Sequence, residues 1–145
     1  MITNERQYRI TKAELRHFEE ALDPTTGYTP SPGVDPDMKG VMDDALRSEV
    51  EVLSAQLKRY EDLREGRVSQ REIEGLRELP TALIEARIAA GLTQKQLAEC
   101  LGLPAQQIQR WESNLYSGVG VERLQEIADA LGMGVRETIS YAVSA

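Results

Sequence analysis

A row of long polar side chains lies in the C-terminal half of the sequence: Gln106, Gln107, Gln109 and Arg110. A glutamine amide can form two hydrogen bonds to adenine, and a guanidinium can do the same to guanine or pair with a phosphate. Ile108 and Trp111 have the spacing of one inward helix face. The polar side chains are therefore expected on the outside of a helix that fits the major groove of DNA.

The surrounding residues predict two short helices joined by a tight turn. Thr93 is suited to cap the first helix, because its hydroxyl can accept from free amides of the first turn. Gly102 suits the position with positive φ at the end of that helix, and Pro104 suits the first position of the second helix. The first helix has one apolar stripe, formed by Leu97, Ala98 and Leu101.

Residues 81–135 resemble the helix-turn-helix domain of lambda-repressor and Cro-like regulators, the XRE family. The matching residues are Gly91-Leu92-Thr93-Gln94, Leu97-Ala98, Leu101-Gly102-Leu103, Ile108, Trp111-Glu112, Leu124, Ile127-Ala128 and Ala130-Leu131-Gly132. The resemblance implies an all-α chain, with a five-helix DNA-binding domain over residues 81–145 that binds double-stranded DNA.

The resemblance also implies a role for each polar residue. Gln94 would bond a phosphate, helped by the free amides at a helix N-terminus, and Lys95 would be a further contact. Gln106 and Gln107 would read bases, and Ala105 would touch a thymine methyl. The predicted DNA-binding residues are Gln94, Lys95, Ala105, Gln106, Gln107, Gln109, Arg110, Tyr116 and Ser117.

Three residues of the domain are predicted to be structural. Arg87 and Glu112 stand where many members of the family form a partly buried ion pair. Trp111 replaces the usual aliphatic residue and is expected in the core. Asn114 stands where the family often has glycine, and asparagine tolerates the left-handed conformation.

The charge balance predicts weak DNA binding by a single copy. The chain has 17 Lys and Arg against 24 Asp and Glu, a net charge of −7, and most of the excess falls in residues 1–80. The loop at 115–120 carries no cation where the family commonly has one, so Tyr116, Ser117 and main-chain amides would donate to phosphate instead. Since such donors release no counterions, we expect a shallow salt dependence and an obligatory dimer.

The N-terminal residues 1–67 are predicted to be a helical dimerisation or partner region with a Pro/Gly-rich loop at 23–36. A first helix covers 3–22 or starts at Thr11, which has capping-box spacing to Glu14. A second helix, over about 37–65, carries apolar residues at coiled-coil spacing, namely Met42, Leu46, Val50, Leu53, Leu57 and Tyr60. The predicted pairing residues would pack within the chain as a hairpin, against a second copy, or both. They are Leu46, Val50, Leu53, Leu57 and Tyr60.

Four further helices are predicted outside the hairpin. A connecting helix over 68–80 would start at a capping box of Ser69 and Glu72. Pro80 would interrupt it, and Thr81 would cap the next helix, which runs to Ala90. A helix over 121–131 and a short last helix over 135–141 complete the domain.

The predicted function is that of a bacterial or phage-type repressor that acts as a homodimer on a palindromic operator. The start of the chain also resembles HigA-type antitoxins. The alternative is therefore an antitoxin-type module that binds a toxin or other partner protein through its N-terminal helices, with weak or no DNA binding. An enzyme is not expected, because no catalytic set is recognisable.

One cysteine, Cys100, and one histidine, His17, are too few to form a metal site. No cofactor, membrane segment or signal peptide is predicted, which favours the cytoplasm.

Overall fold

The structure is a computed structural model that describes residues 1–25, 32–33 and 35–142, and in this part of the chain it is helical throughout its regular elements. The α-helices are α1 (Glu5–Leu22), α2 (Pro36–Arg64), α3 (Leu79–Ala89), α4 (Gln94–Cys100), α5 (Ala105–Ser113) and α6 (Val121–Ala130), and a 3₁₀ turn covers Leu76–Glu78. They form two compact units, Met1–Glu72 and Ile73–Ala145. The predicted all-α class is confirmed. No helix of the described residues has the length and apolar character to span a bilayer.

The N-terminal unit is an antiparallel hairpin of α1 and α2. Tyr8, near the start of α1, stacks on Tyr60, near the end of α2, with ring centroids 5.3 Å apart. The Tyr8 hydroxyl donates to Glu61 at 2.6 Å. Arg64 lies over the Tyr8 ring and pairs with Glu5 at 3.0 Å. The two helices therefore pair within one chain.

This hairpin uses residues for which the sequence left pairing within the chain and pairing with a second copy both open. Leu57 and Tyr60 are buried within the single chain, which is the within-chain alternative of that prediction. Leu46, Val50 and Leu53 are partly covered.

Two residues of the N-terminal unit that were predicted to cap a helix do not start one in the structure. Asn4 caps α1, because its side chain accepts from the amide of Gln7 at 2.9 Å, and Thr11 lies inside the helix. The end of α2 at Arg64, just before Gly66 with φ +71°, is as predicted. No helix starts at Ser69, and the connecting segment contains only the 3₁₀ turn. Of the predicted loop over 23–36, residues 26–31 and 34 lie outside the described residues.

The C-terminal unit packs its helices around fully buried side chains: Leu83, Ile84, Leu97, Ile108 and Ile127. Each of α3 to α6 contributes at least one of them, and each such burial stabilises the fold by about 1.5–3 kcal/mol. Pro80 lies in the first turn of α3, where a proline is tolerated, and not at a helix break. The described residues after α6 form no helix, so the last predicted helix is wrong and four α-helices replace the expected five.

A buried ion pair links α3 to α5. Arg87 donates from Nε to Oε1 of Glu112 at 2.5 Å and from Nη2 to Oε2 at 2.8 Å. Its Nη1 donates to the Leu92 carbonyl at 2.8 Å. Both charged side chains are almost fully buried. The pair predicted from the resemblance is therefore present and holds the two helices together.

The turn after α5 contains two successive non-glycine residues in the left-handed region, Leu115 with φ 53° and Tyr116 with φ 55°. Asn114 has φ −107°, so the left-handed position lies one residue later than predicted. The Tyr116 ring is buried and lies 6.3 Å from Trp111. Its hydroxyl has no hydrogen-bond partner among the described residues. Burial, followed by the charge of Glu112, raises the pKa of Tyr116.

Replacing Glu112 by glutamine is expected to lower the free energy of unfolding by about 3–5 kcal/mol, because Arg87 would remain buried without its counter-charge. Fluorescence of Trp111, the single tryptophan, during urea unfolding reports on this unit. Glu99→Gln is the matched control, since it removes only an exposed contact with Lys95 at 3.9 Å, worth about 1 kcal/mol or less. Equal small losses of stability for both variants would contradict the structural role of the pair.

Tyr116→Phe is expected to raise the free energy of unfolding by about 1 kcal/mol at neutral pH, because it removes a buried hydroxyl without a partner. The raised pKa means that folded Tyr116 keeps its proton above about pH 10, where the unfolded chain releases it. The original chain should therefore lose stability more steeply than Tyr116→Phe as the pH rises above about 10. Urea unfolding across this range measures the difference, with exposed Tyr141→Phe as control. Parallel pH profiles would contradict the prediction.

Candidate nucleic-acid interface

In the hairpin of α4 and α5, hydrogen bonds cap both ends of α4. The Thr93 hydroxyl accepts from the Gln96 amide at 3.1 Å, and the Gln96 side chain accepts from the Thr93 amide at 2.9 Å. After α4, Gly102 has φ +65°, and the Leu103 amide donates to the Ala98 carbonyl at 2.8 Å. The predicted cap at Thr93 and the glycine turn are confirmed. Together they fix where α5 begins.

Pro104 lies one residue earlier than predicted. It occupies the cap position of α5, with φ −62° and ψ 141°, and the helix starts at Ala105. Its ring fixes φ in either place, so the proline still fixes the backbone at the start of α5.

The polar row of α5 faces solvent. Gln106, Gln109 and Arg110 are exposed, while Ala105 and Gln107 are partly exposed. On the opposite side Ile108 is fully buried, and Trp111 is partly buried as expected for a packing residue. Within the described part of the chain the Arg110 guanidinium forms no hydrogen bond or ion pair. Its donors are free for a ligand outside the chain.

Gln94 is held by a partner that the sequence did not indicate. Its Nε2 donates to Oε2 of Glu112 at 2.7 Å. The two residues are 18 positions apart on different helices, so no local spacing signals the contact. Gln94 therefore ties α4 to the buried ion pair, and one amide donor is already used inside the protein.

The remaining predicted contacts divide into exposed and buried residues. Lys95 and Ser117 are exposed. Tyr116 is only 3% exposed, so the prediction that its hydroxyl donates to phosphate is wrong. Leucine and tyrosine do not signal a left-handed turn, and the sequence could not show that the ring turns inward. On α6, Arg123 pairs with Glu126.

The family model described as Helix-turn-helix matches residues 83–137. This range contains the last seven residues of α3 and the whole of α4, α5 and α6, and with them every residue predicted to contact DNA. Searches of curated proteins and of solved structures gave no significant match. The matching family is a DNA-binding class and not a class of enzymes. Over residues 83–137 the chain therefore matches the helix-turn-helix family, in agreement with the resemblance to lambda-repressor-like, or XRE, regulators.

Proposed function

We propose that the protein is a sequence-specific transcriptional repressor that binds a palindromic operator as a homodimer. The observation that carries this proposal is the exposed polar row on α5, in which Arg110 has no partner among the described residues. The opposite side of α5 is fixed by buried Ile108 and Glu112. A rigid helix that presents amides and a guanidinium has the form needed to read base edges in the major groove.

The side chains suggest which bases each half-site contains. Gln106 and Gln107, in the first turn of α5, suit adenine, and Arg110 suits guanine or a phosphate. Ala105 suits contact with a thymine methyl, and Gln109 lies beside this group. Each two-bonded base contact discriminates by about 1–3 kcal/mol. Two or three such contacts in each half-site would define the operator.

The small number of cations supports a dimer. Lys95 and Arg110 are the exposed cations of the α4–α5 hairpin, and Ser117 and the remaining amide donor of Gln94 add neutral contacts. Since affinity for duplex DNA depends largely on phosphates neutralised by cations, one copy supplies little. Two copies, reading half-sites roughly 34–36 Å apart, double these contacts.

A second candidate function is the binding of a partner protein, such as a toxin, through α1 and α2. Residues 1–80 contain 12 Lys and Arg against 17 Asp and Glu, a balance that repels DNA. The exposed apolar side chains Met38 and Val41 on α2 also favour a protein partner. This function and DNA binding use different units of the chain and can coexist.

Replacing Gln106 and Arg110 together by alanine is expected to weaken operator binding by at least about tenfold, because both side chains would bond to base edges. Selection from random duplex DNA supplies the operator, and fluorescence anisotropy at low salt measures the affinity. Gln125→Ala, an exposed glutamine on α6, is the matched control. No binding of the unaltered chain to any selected duplex or to its own upstream DNA would contradict the proposed function.

The dependence of affinity on salt separates the roles of Lys95 and Gln106. Lys95→Gln should make the plot of log affinity against log salt shallower by about 0.9 for each phosphate that the lysine neutralises. Gln106→Ala should lower the affinity and leave that slope unchanged, because a base contact releases no counterions. Titrations over a series of salt concentrations measure both quantities, and a slope unaffected by Lys95→Gln would exclude Lys95 from the interface.

A further inference from the structure

Helix α2 has a second stripe of apolar and small side chains, distinct from the one that pairs with α1. The second stripe consists of Met38, Val41, Ala45, Ser48, Val52 and Ala55, spaced alternately by three and four residues. All six are exposed, and Val41 reaches 65% exposure. At 3.6 residues per turn, the centre of this stripe lies about 130° around the helix from the centre of Leu46, Leu53 and Leu57.

The second stripe has the dimensions of a helix-binding surface. It extends over 18 residues, which is about 25 Å of helix. Alanine and serine between the larger side chains let another helix approach closely, and the larger side chains supply apolar area. Continuous exposed apolar surface of this kind marks interaction sites in soluble proteins.

Acidic side chains line both edges of the second stripe. Asp37, Asp44 and Glu51 follow one edge at intervals of seven residues, and Glu49 lies on the other; all four are exposed. Arg47 is paired with Asp44 at 3.4 Å, which leaves the edge with a net negative charge. Lys39 lies about 150° around the helix from the centre of the stripe.

These charges disfavour a second copy of α2 and a polyanion as the occupant. Antiparallel pairing of two second stripes would bring the row containing Asp37 and Asp44 against its own copy, and parallel pairing would bring that row towards Glu49. Like charges placed opposite each other across such a seam oppose pairing. DNA phosphates and anionic lipids are repelled by the same edges. The complementary surface is apolar with basic edges.

We propose that the second stripe is the docking site for a basic amphipathic helix of a partner protein, with an apolar seam flanked by Lys and Arg. The proposal deepens the second function proposed above and rests on it, but it does not depend on DNA binding. The apolar seam supplies binding free energy, as in other helix-in-groove complexes. The acidic edges select basic partners and speed their association.

A synthetic peptide pair tests the proposal with the full chain. The probe is a labelled helical peptide with a line of leucines along one face, flanked by Lys and Arg. The control peptide has the same line of leucines, flanked by Glu. Fluorescence anisotropy should show saturable binding of the basic peptide only, weakened by added salt. Val41→Asp combined with Val52→Asp should weaken this binding by roughly tenfold or more. Ile10→Asp on α1, at another exposed apolar residue, should leave it unchanged.

Three results would overturn the proposal: no saturable binding of the basic peptide, equal binding of both peptides, or binding unaffected by the paired valine variant. A chain dimer that this variant dissociates, seen by light scattering, would also overturn it, since a second copy would then be the occupant. Circular dichroism shows that each variant keeps its helices. Operator affinity measured on the same variants separates the two functions, because the stripe variant should still bind operator DNA.

Discussion

The buried carboxylate of Glu112 is the constraint on which the proposed DNA-binding surface depends. A charge inside a protein is tolerated only when it is paired and hydrogen-bonded, and this one is bonded by Arg87 from α3 and Gln94 from α4. Three helices are therefore fixed at one point, since moving any of them would leave a buried charge without its partner. The orientation of the polar row on α5 follows from this contact and from the buried side chain of Ile108.

The turn after α5 shows how packing removed a candidate DNA contact. Leu115 and Tyr116 adopt left-handed conformations, each at a conformational cost for a residue with a side chain. The same turn places the Tyr116 ring in a buried position beside Trp111. The loop then offers Ser117 and main-chain amides but no cation. Under the proposed function, affinity for DNA would consequently come from α5, Lys95 and the pairing of two copies.

Strong periodic patterns were predictable from the sequence, whereas short cap patterns were correct only in part: Thr93 caps α4, but no helix starts at Thr11 or Ser69. The bounds of α2 and the buried side of α5 follow from long apolar spacings that only a helix satisfies. The Ser69–Glu72 spacing failed because Gly75, a poor helix residue, follows it and adopts an extended conformation. The segment at 135–141 contains Val135, Thr138 and Ile139, whose branched side chains lower helix propensity. The bond between Gln94 and Glu112 depends on tertiary packing and has no local signal.

The unequal distribution of charge connects the two proposed functions. Most of the acidic excess lies in residues 1–80, outside the matched domain. A basic helix bound to the second stripe would neutralise part of this charge and reduce the repulsion between the chain and DNA. Thermodynamic linkage requires the effect to be reciprocal, so DNA would then raise the affinity for the partner by the same factor. The sign of this coupling follows from charge alone, while its size depends on the salt that screens it.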